Sequence, residues 1–138
     1  MSDFSIPLIY VVDDDPDEHL LLRIVFARQF RQIRLKFLSS GNELFTRLTH
    51  ELDGQLPDLI LLDLHMPIHN GYEILQLLKN NKDWQSIPVA VRTAFAGSTS
   101  IHRCDTLGSD IVLDKGYSHQ RLTNWIQNRL KNPVSQEG

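Results

Sequence analysis

Leu59-Ile60-Leu61-Leu62-Asp63-Leu64-His65-Met66-Pro67 is the stretch on which the reading of this 138-residue chain turns. Four apolar residues in a row, introduced by Pro57-Asp58, predict a short strand buried on both faces. The strand ends on an aspartate, and Pro67 forbids its continuation. A carboxylate at the carboxyl end of a buried parallel strand lies where open α/β sheets form their active-site crevices.

Working outward, Leu8–Val12 is a second unbroken apolar run, and it stops at Asp13-Asp14-Asp15-Pro16. Pro16 suits the first turn of a helix, and the acidic residues beside it complement the helix dipole. Asp15 and Asp17 are assigned to that helix start. From Asp17 to Phe30 the apolar residues Leu20, Leu21, Ile24, Val25 and Phe30 recur at helical spacing. Ile33–Leu38 alternates as an edge strand does. Ser40-Gly-Asn-Glu43 has the pattern of a capping box ahead of a second amphipathic helix.

Beyond Asp63, Asn70-Gly71 closes a loop and Tyr72–Leu78 predicts a helix with an apolar stripe. Ile87–Val91 gives a fourth buried strand ending Arg92-Thr93-Ala94, and Ile111–Leu113 gives a fifth ending Asp114-Lys115-Gly116. Residues 96 to 107 predict at most a marginal helix. Gln120–Leu130 closes the chain with Leu122, Trp125 and Ile126 at core spacing. Five strand–helix rounds predict an α/β fold: a flavodoxin-like, doubly wound parallel sheet, (βα)5, in strand order 2-1-3-4-5. No linker divides residues 1–138, so one domain is expected, with its core at about 7–131.

Composition narrows the classes of function. Hydrophobic residues at 41% and charged ones at 22% are globular values and argue against wholesale disorder. A net charge of −3 offers no basic excess to neutralise phosphates, so direct nucleic-acid binding is not expected. Cys104 alone excludes an internal disulfide or a cysteine cage, and is read as a small packed residue. No apolar run is long enough for a membrane span, and the N-terminus lacks a signal-peptide layout. A cytoplasmic location is expected. His65, His69, His102 and His119 are scattered singly and read as surface residues, not ligands.

The strand ends carry the chemistry. In a parallel sheet Asp13, Asp14, Asp63, Thr93 and Lys115 all fall on one edge, with the first and third strands adjacent at the switch point. Crowded carboxylates raise one another's pKa unless a cation offsets them. Oxygen donors of this type suit Mg²⁺. A carboxylate beside such an ion is a competent nucleophile toward a phosphoryl group, and the remaining phosphoryl charge needs donors such as a hydroxyl and an ammonium.

Val12-Asp-Asp-Asp-Pro16, Leu62-Asp-Leu-His-Met-Pro67 with Asn70-Gly71, Pro88-Val-Ala-Val-Arg-Thr-Ala94 and Asp114-Lys115 together resemble the receiver domain of two-component response regulators, over about residues 7–131. By position, the resemblance implies that Asp63 accepts the phosphoryl group. It makes Asp14 a direct Mg²⁺ ligand, Asp13 an acidic partner acting largely through water, and the His65 backbone carbonyl a further ligand. Thr93 becomes the switch hydroxyl and Lys115 the phosphate-contacting amine.

The implied donor is a sensor histidine kinase or a phosphotransfer protein, and the implied output is contact with a downstream protein. The fourth strand, fifth strand and last helix form a face through which two copies could pair. Two positions depart from the family pattern. Gly116 stands where proline usually follows the lysine, and Val112 occupies the switch-aromatic position, so signalling by ring rotation is not available. His65 and Phe95 flank the implied phosphoryl site, and Phe95 is expected to slow dephosphorylation.

Two other readings of the same residues are a receiver-like interaction module that is never phosphorylated and a Mg²⁺-dependent phosphatase. Asp63-Leu64-His65 lacks the second aspartate that such phosphatases carry two residues after the nucleophile.

Overall fold

Each buried apolar run becomes a strand, and each strand is followed by a helix. The computed structural model describes residues 6–66, 70–94, 96–116 and 119–130. The elements are β1 (Leu8–Val12), α1 (Pro16–Gln29), β2 (Arg34–Leu38), α2 (Gly41–His50), β3 (Leu59–Asp63), α3 (Gly71–Asn80), β4 (Val89–Thr93), α4 (Ser98–Leu107), β5 (Ile111–Asp114) and α5 (Gln120–Arg129). The sheet is parallel throughout and ordered β2-β1-β3-β4-β5. This is the doubly wound arrangement expected from the strand–helix alternation.

The central strands β1, β3 and β4 are buried along their whole length, which explains why they read as continuous apolar runs. Their side chains divide between two layers with a period of two. Tyr10, Val12, Ile60, Leu62 and Val91 face Leu44, Leu48, Ile74 and Leu78 of α2 and α3. Ile9, Val11, Leu61, Ala90 and Leu113 face Leu22, Phe26, Leu122 and Ile126 of α1 and α5. β2 lies at the edge and is only partly covered, as its alternation predicts.

Helix starts follow the expected chemistry. Pro16 opens α1, and Asp15 accepts a hydrogen bond from the Asp17 amide at 2.9 Å. Ser40 Oγ accepts from the Glu43 amide at 3.1 Å, while Glu43 Oε1 accepts from the Ser39 amide at 2.6 Å. The predicted capping box thus reaches back one residue further than its simplest form. Asn70 Oδ1 accepts from the Glu73 amide at 3.0 Å and starts α3.

Two expectations are corrected. The inward face of α1 is Leu22 and Phe26, with Leu21 and Val25 half-buried, whereas Leu20 and Ile24 are 57% and 44% exposed. Three successive i, i+4 apolar pairs occupy this helix, so spacing alone could not choose among them. The marginal segment forms a full ten-residue helix, α4. Fully buried Cys104 docks it on the core, and Gly108 ends it at φ 103°, a conformation suited to glycine. Arg103 also lies over the Tyr72 ring of α3 at 3.9 Å. Tertiary contacts override the weak local propensity.

Trp84 is half-buried against Phe45, with ring centroids 5.5 Å apart. Trp125 is half-buried beside the α1–α5 layer. Pro67, His69 and Phe95, to which the sequence assigned roles, lie outside the described residues.

The corrected face of α1 has a measurable consequence. Leu22→Ala is expected to lower unfolding free energy by about 2–5 kcal/mol, while Leu20→Gln and Ile24→Gln each change it by about 0.5 kcal/mol or less. Denaturant unfolding of the three variants checks the assignment, and a large loss at Leu20 or Ile24 would contradict it.

Candidate functional site

The carboxyl ends of β1 and β3 lie side by side at the point where the sheet order reverses. Asp13, Asp14 and Asp63 each present a carboxylate oxygen there, all within 4.8 Å of one another. Asp13 and Asp63 are almost wholly buried, at 2% and 6% exposure, and Asp14 faces solvent.

Lys115, one residue past β5, extends its ammonium into this group. Nζ lies 2.6 Å from Asp13 Oδ2 and 3.5 Å from Asp63 Oδ2. Its backbone amide donates to the Thr93 carbonyl at 2.8 Å, which fixes the turn after β5 against the end of β4. The glycine that follows Lys115 therefore does not misdirect the side chain.

Backbone amides complete the cluster. Asp13 Oδ1 accepts from the Asp15 amide at 2.9 Å, and Asp63 Oδ1 accepts from the His65 amide at 3.2 Å. Burial raises the Asp63 carboxyl above its ordinary value; the His65 amide and Lys115 oppose that shift, and the neighbouring Asp13 charge adds to it. The balance describes an ionisable group held dry beside a like charge.

Thr93 closes β4 and is fully buried on the same edge. His65 is exposed, and its amide, not its imidazole, contacts the cluster. Val112 pairs with Val91 in the sheet and packs partly against the α2–α3 core layer. His102 lies at the surface as expected. His119 does not: it is half-buried, and its Nε2 is shielded from solvent with no hydrogen-bond partner among the described residues. Its burial at the start of α5, rather than its spacing in the chain, decides this.

Sequence reasoning also passed over His19, Arg92 and Gly71's close approach. His19 Nε2–H donates to the Asp13 backbone carbonyl at 2.6 Å, and its ring stacks on Phe37 with centroids 4.7 Å apart. Arg92 is 4% exposed and pairs with Glu18 at 3.1 Å. A cation inside an otherwise apolar central strand was the available signal. At Gly71 an added Cβ would stand 2.6 Å from both the Asp63 carbonyl oxygen and Leu64 Cα. Glycine is what lets α3 begin directly against the strand that carries Asp63, where its amide donates to Leu64 O at 2.8 Å.

A family model described as the response regulator receiver domain matches residues 9–127. The chain belongs to this family. RcaC of Microchaete diplosiphon is 34% identical over 80 residues, which is 58% of this chain and 12% of RcaC. The probable methanogenesis regulatory protein FilR2 of Methanothrix harundinacea is 28% identical over 122 residues, 87% of this chain and 79% of FilR2. Among solved structures, the Mn²⁺-bound form of response regulator Rcp1 superposes with a TM-score of 0.72 at 25% identity, covering 93% of this chain and 99% of that one. This chain spans less than a third of the length of the first two curated relatives it matches, 12% and 30%. Receiver membership places the protein with two-component response regulators.

Two outcomes test the geometry. The Asp63 carboxyl is raised by folding, so ionising it opposes the fold; that cost is absent below the unfolded value and grows as pH rises through the folded one. In the absence of divalent ions, Asp63→Asn is expected to melt higher than the wild type at neutral pH, with the gap closing as pH falls through the carboxylate range. A lower melting temperature at neutral pH would refute the assignment. Gly71→Ala is expected to destabilise by about 3 kcal/mol, the upper end for overpacking, because the obstructing atoms are backbone. Urea unfolding measures it.

Proposed function

We propose that Asp63 accepts a phosphoryl group and that the protein is a phosphorylation-operated response regulator. The observation that supports this best is one cluster: buried Asp63, with Asp13 and Asp14 within 4.8 Å and the Lys115 ammonium at 3.5 Å. An oxygen-only carboxylate set of this kind fits a hard divalent cation, and Mg²⁺ is the reading adopted. Asp14 and Asp63 would hold it directly, Asp13 largely through water, and the His65 carbonyl would complete the protein ligands. When bound, the ion supplies positive charge for the phosphoryl oxygens.

The chain's own residues do the rest. An Asp63 carboxylate oxygen attacks phosphorus as the bond from phosphorus to the donor breaks, giving an acyl phosphate on Asp63 and releasing the donor. Lys115 already spans Asp13 and Asp63, so a short movement of Nζ places it on the new dianion. Thr93, at the end of the adjoining strand, supplies a hydroxyl from the same edge. Gly71 and the His65 amide hold the Asp63 strand end in place. The donor is a sensor histidine kinase or phosphotransfer protein, and the phosphorylated form signals by contact with another protein in the cytoplasm. Two copies could pair through β4, β5 and α5.

Incubation with a small phosphodonor and Mg²⁺, followed by intact-mass measurement, is the decisive experiment. One phosphoryl adduct is expected on the wild type, and none on Asp63→Asn or after chelation of the metal. Asp13→Asn should raise the Mg²⁺ concentration for half-maximal adduct by about tenfold or more, the range for losing an outer-shell partner. No adduct on the wild type would sink the reading.

A further inference from the structure

Arg92 is a charge placed where a central parallel strand normally holds an apolar side chain. It is the sheet partner of Asp63 and the residue before Thr93, and its carbonyl accepts from the Leu64 amide at 3.4 Å. Its side chain leaves on the α1–α5 face, and its guanidinium stops 3.1 Å from Glu18 Oε1 in the first turns of α1. His119, immediately before α5, is half-buried; burial first, and then the Arg92 charge, disfavour its protonation, and Glu18 opposes.

This cluster is poorly satisfied for its depth. Arg92 and Glu18 side chains are 5% and 17% exposed, yet among the described residues neither Glu18 Oε1 nor His119 Nε2 has a hydrogen-bond partner. A buried polar network left short of hydrogen bonds is the kind that rearranges at small cost, since moving breaks little. The usual alternative is lacking: Val112 has no ring to turn.

We propose that Arg92 is the positioning residue through which a change of charge at Asp63 reaches α1, by way of Glu18, and from there α5, which packs in the same layer as α1. The backbone supplies the link at one end, because the end of β4 is bonded to the residue after Asp63 and, through Thr93, to Lys115. The ion pair supplies the link at the other. The face that responds is therefore α1–α5, on the opposite side of the sheet from the layer of α2 and α3. Its physiological trigger rests on the phosphoryl-acceptor reading, but the coupling itself does not.

The test compares amide resonances of the full chain in two ways: wild type against Asp63→Asn, and wild type before and after incubation with acetyl phosphate and Mg²⁺. Amides of residues 17–22 and 119–123 are expected to shift in both comparisons. In an Arg92→Met, Glu18→Gln background, which removes both buried charges together, those shifts are expected to be lost while amides beside residue 63 still respond. Arg92→Lys keeps the charge without the planar fork and should give a reduced response, which decides the matter if the double variant does not fold. The proposal is overturned if Asp63→Asn leaves α1 and α5 unmoved, or if the Arg92 variants transmit the shift undiminished. Absence of an adduct by mass counts against the phosphoryl-acceptor reading, and the Asp63→Asn comparison then decides the coupling.

Discussion

Two carboxylates nearly removed from water share a single ammonium: Lys115 Nζ stands between Asp13 and Asp63. Removing Lys115 would leave two buried carboxylates without their cation, which typically costs more than the pairing contributes. The arrangement persists because three strands end together. β1 delivers Asp13, β3 delivers Asp63, and the turn after β5 delivers Lys115, pinned by its amide to the end of β4. The parallel order is thus not a neutral scaffold for the site. An order that separated β1 from β3 would leave the lysine without two acids to serve.

Much of this was legible before any coordinates. Uninterrupted apolar runs gave the buried strands, and residues placed at their ends had to meet on one edge. Asp13, Asp14, Asp63 and Lys115 do meet there. What spacing does not supply is the direction of the lysine side chain, which follows from the pairing of its backbone with Thr93. Phe95 and Pro67 lie outside the described residues, so their assigned parts stand only on the sequence.

Other features were out of reach for definite reasons. His19 reads as an ordinary helical histidine until the fold brings its ring against Phe37 and its nitrogen onto the Asp13 carbonyl. His119 reads as a surface residue until the fold shields its Nε2 from solvent. Arg92 announced itself as a charge in a buried strand, but its partner lies on α1, more than seventy positions earlier in the chain. Contacts of that separation carry no local pattern. α4 failed in the opposite sense, since weak propensity was overruled by one buried cysteine and a glycine cap.

α1 shows how these constraints combine. The helix begins on Asp15, sends His19 to the carbonyl of Asp13 and Glu18 to Arg92, and buries Leu22 and Phe26. Leu20/Ile24, Leu21/Val25 and Leu22/Phe26 offer three apolar pairs of equal spacing, so burial of apolar area alone would leave its rotation weakly defined. The polar contacts select one rotation: with Glu18 and His19 committed to the sheet edge, Leu22 must face inward, and Leu20 and Ile24 are turned to solvent. The same contacts that orient the helix tie it to both the carboxylate cluster and β4. A helix whose orientation is set by the functional edge, and only reinforced by the core, is the element best placed to respond when the charge at that edge changes.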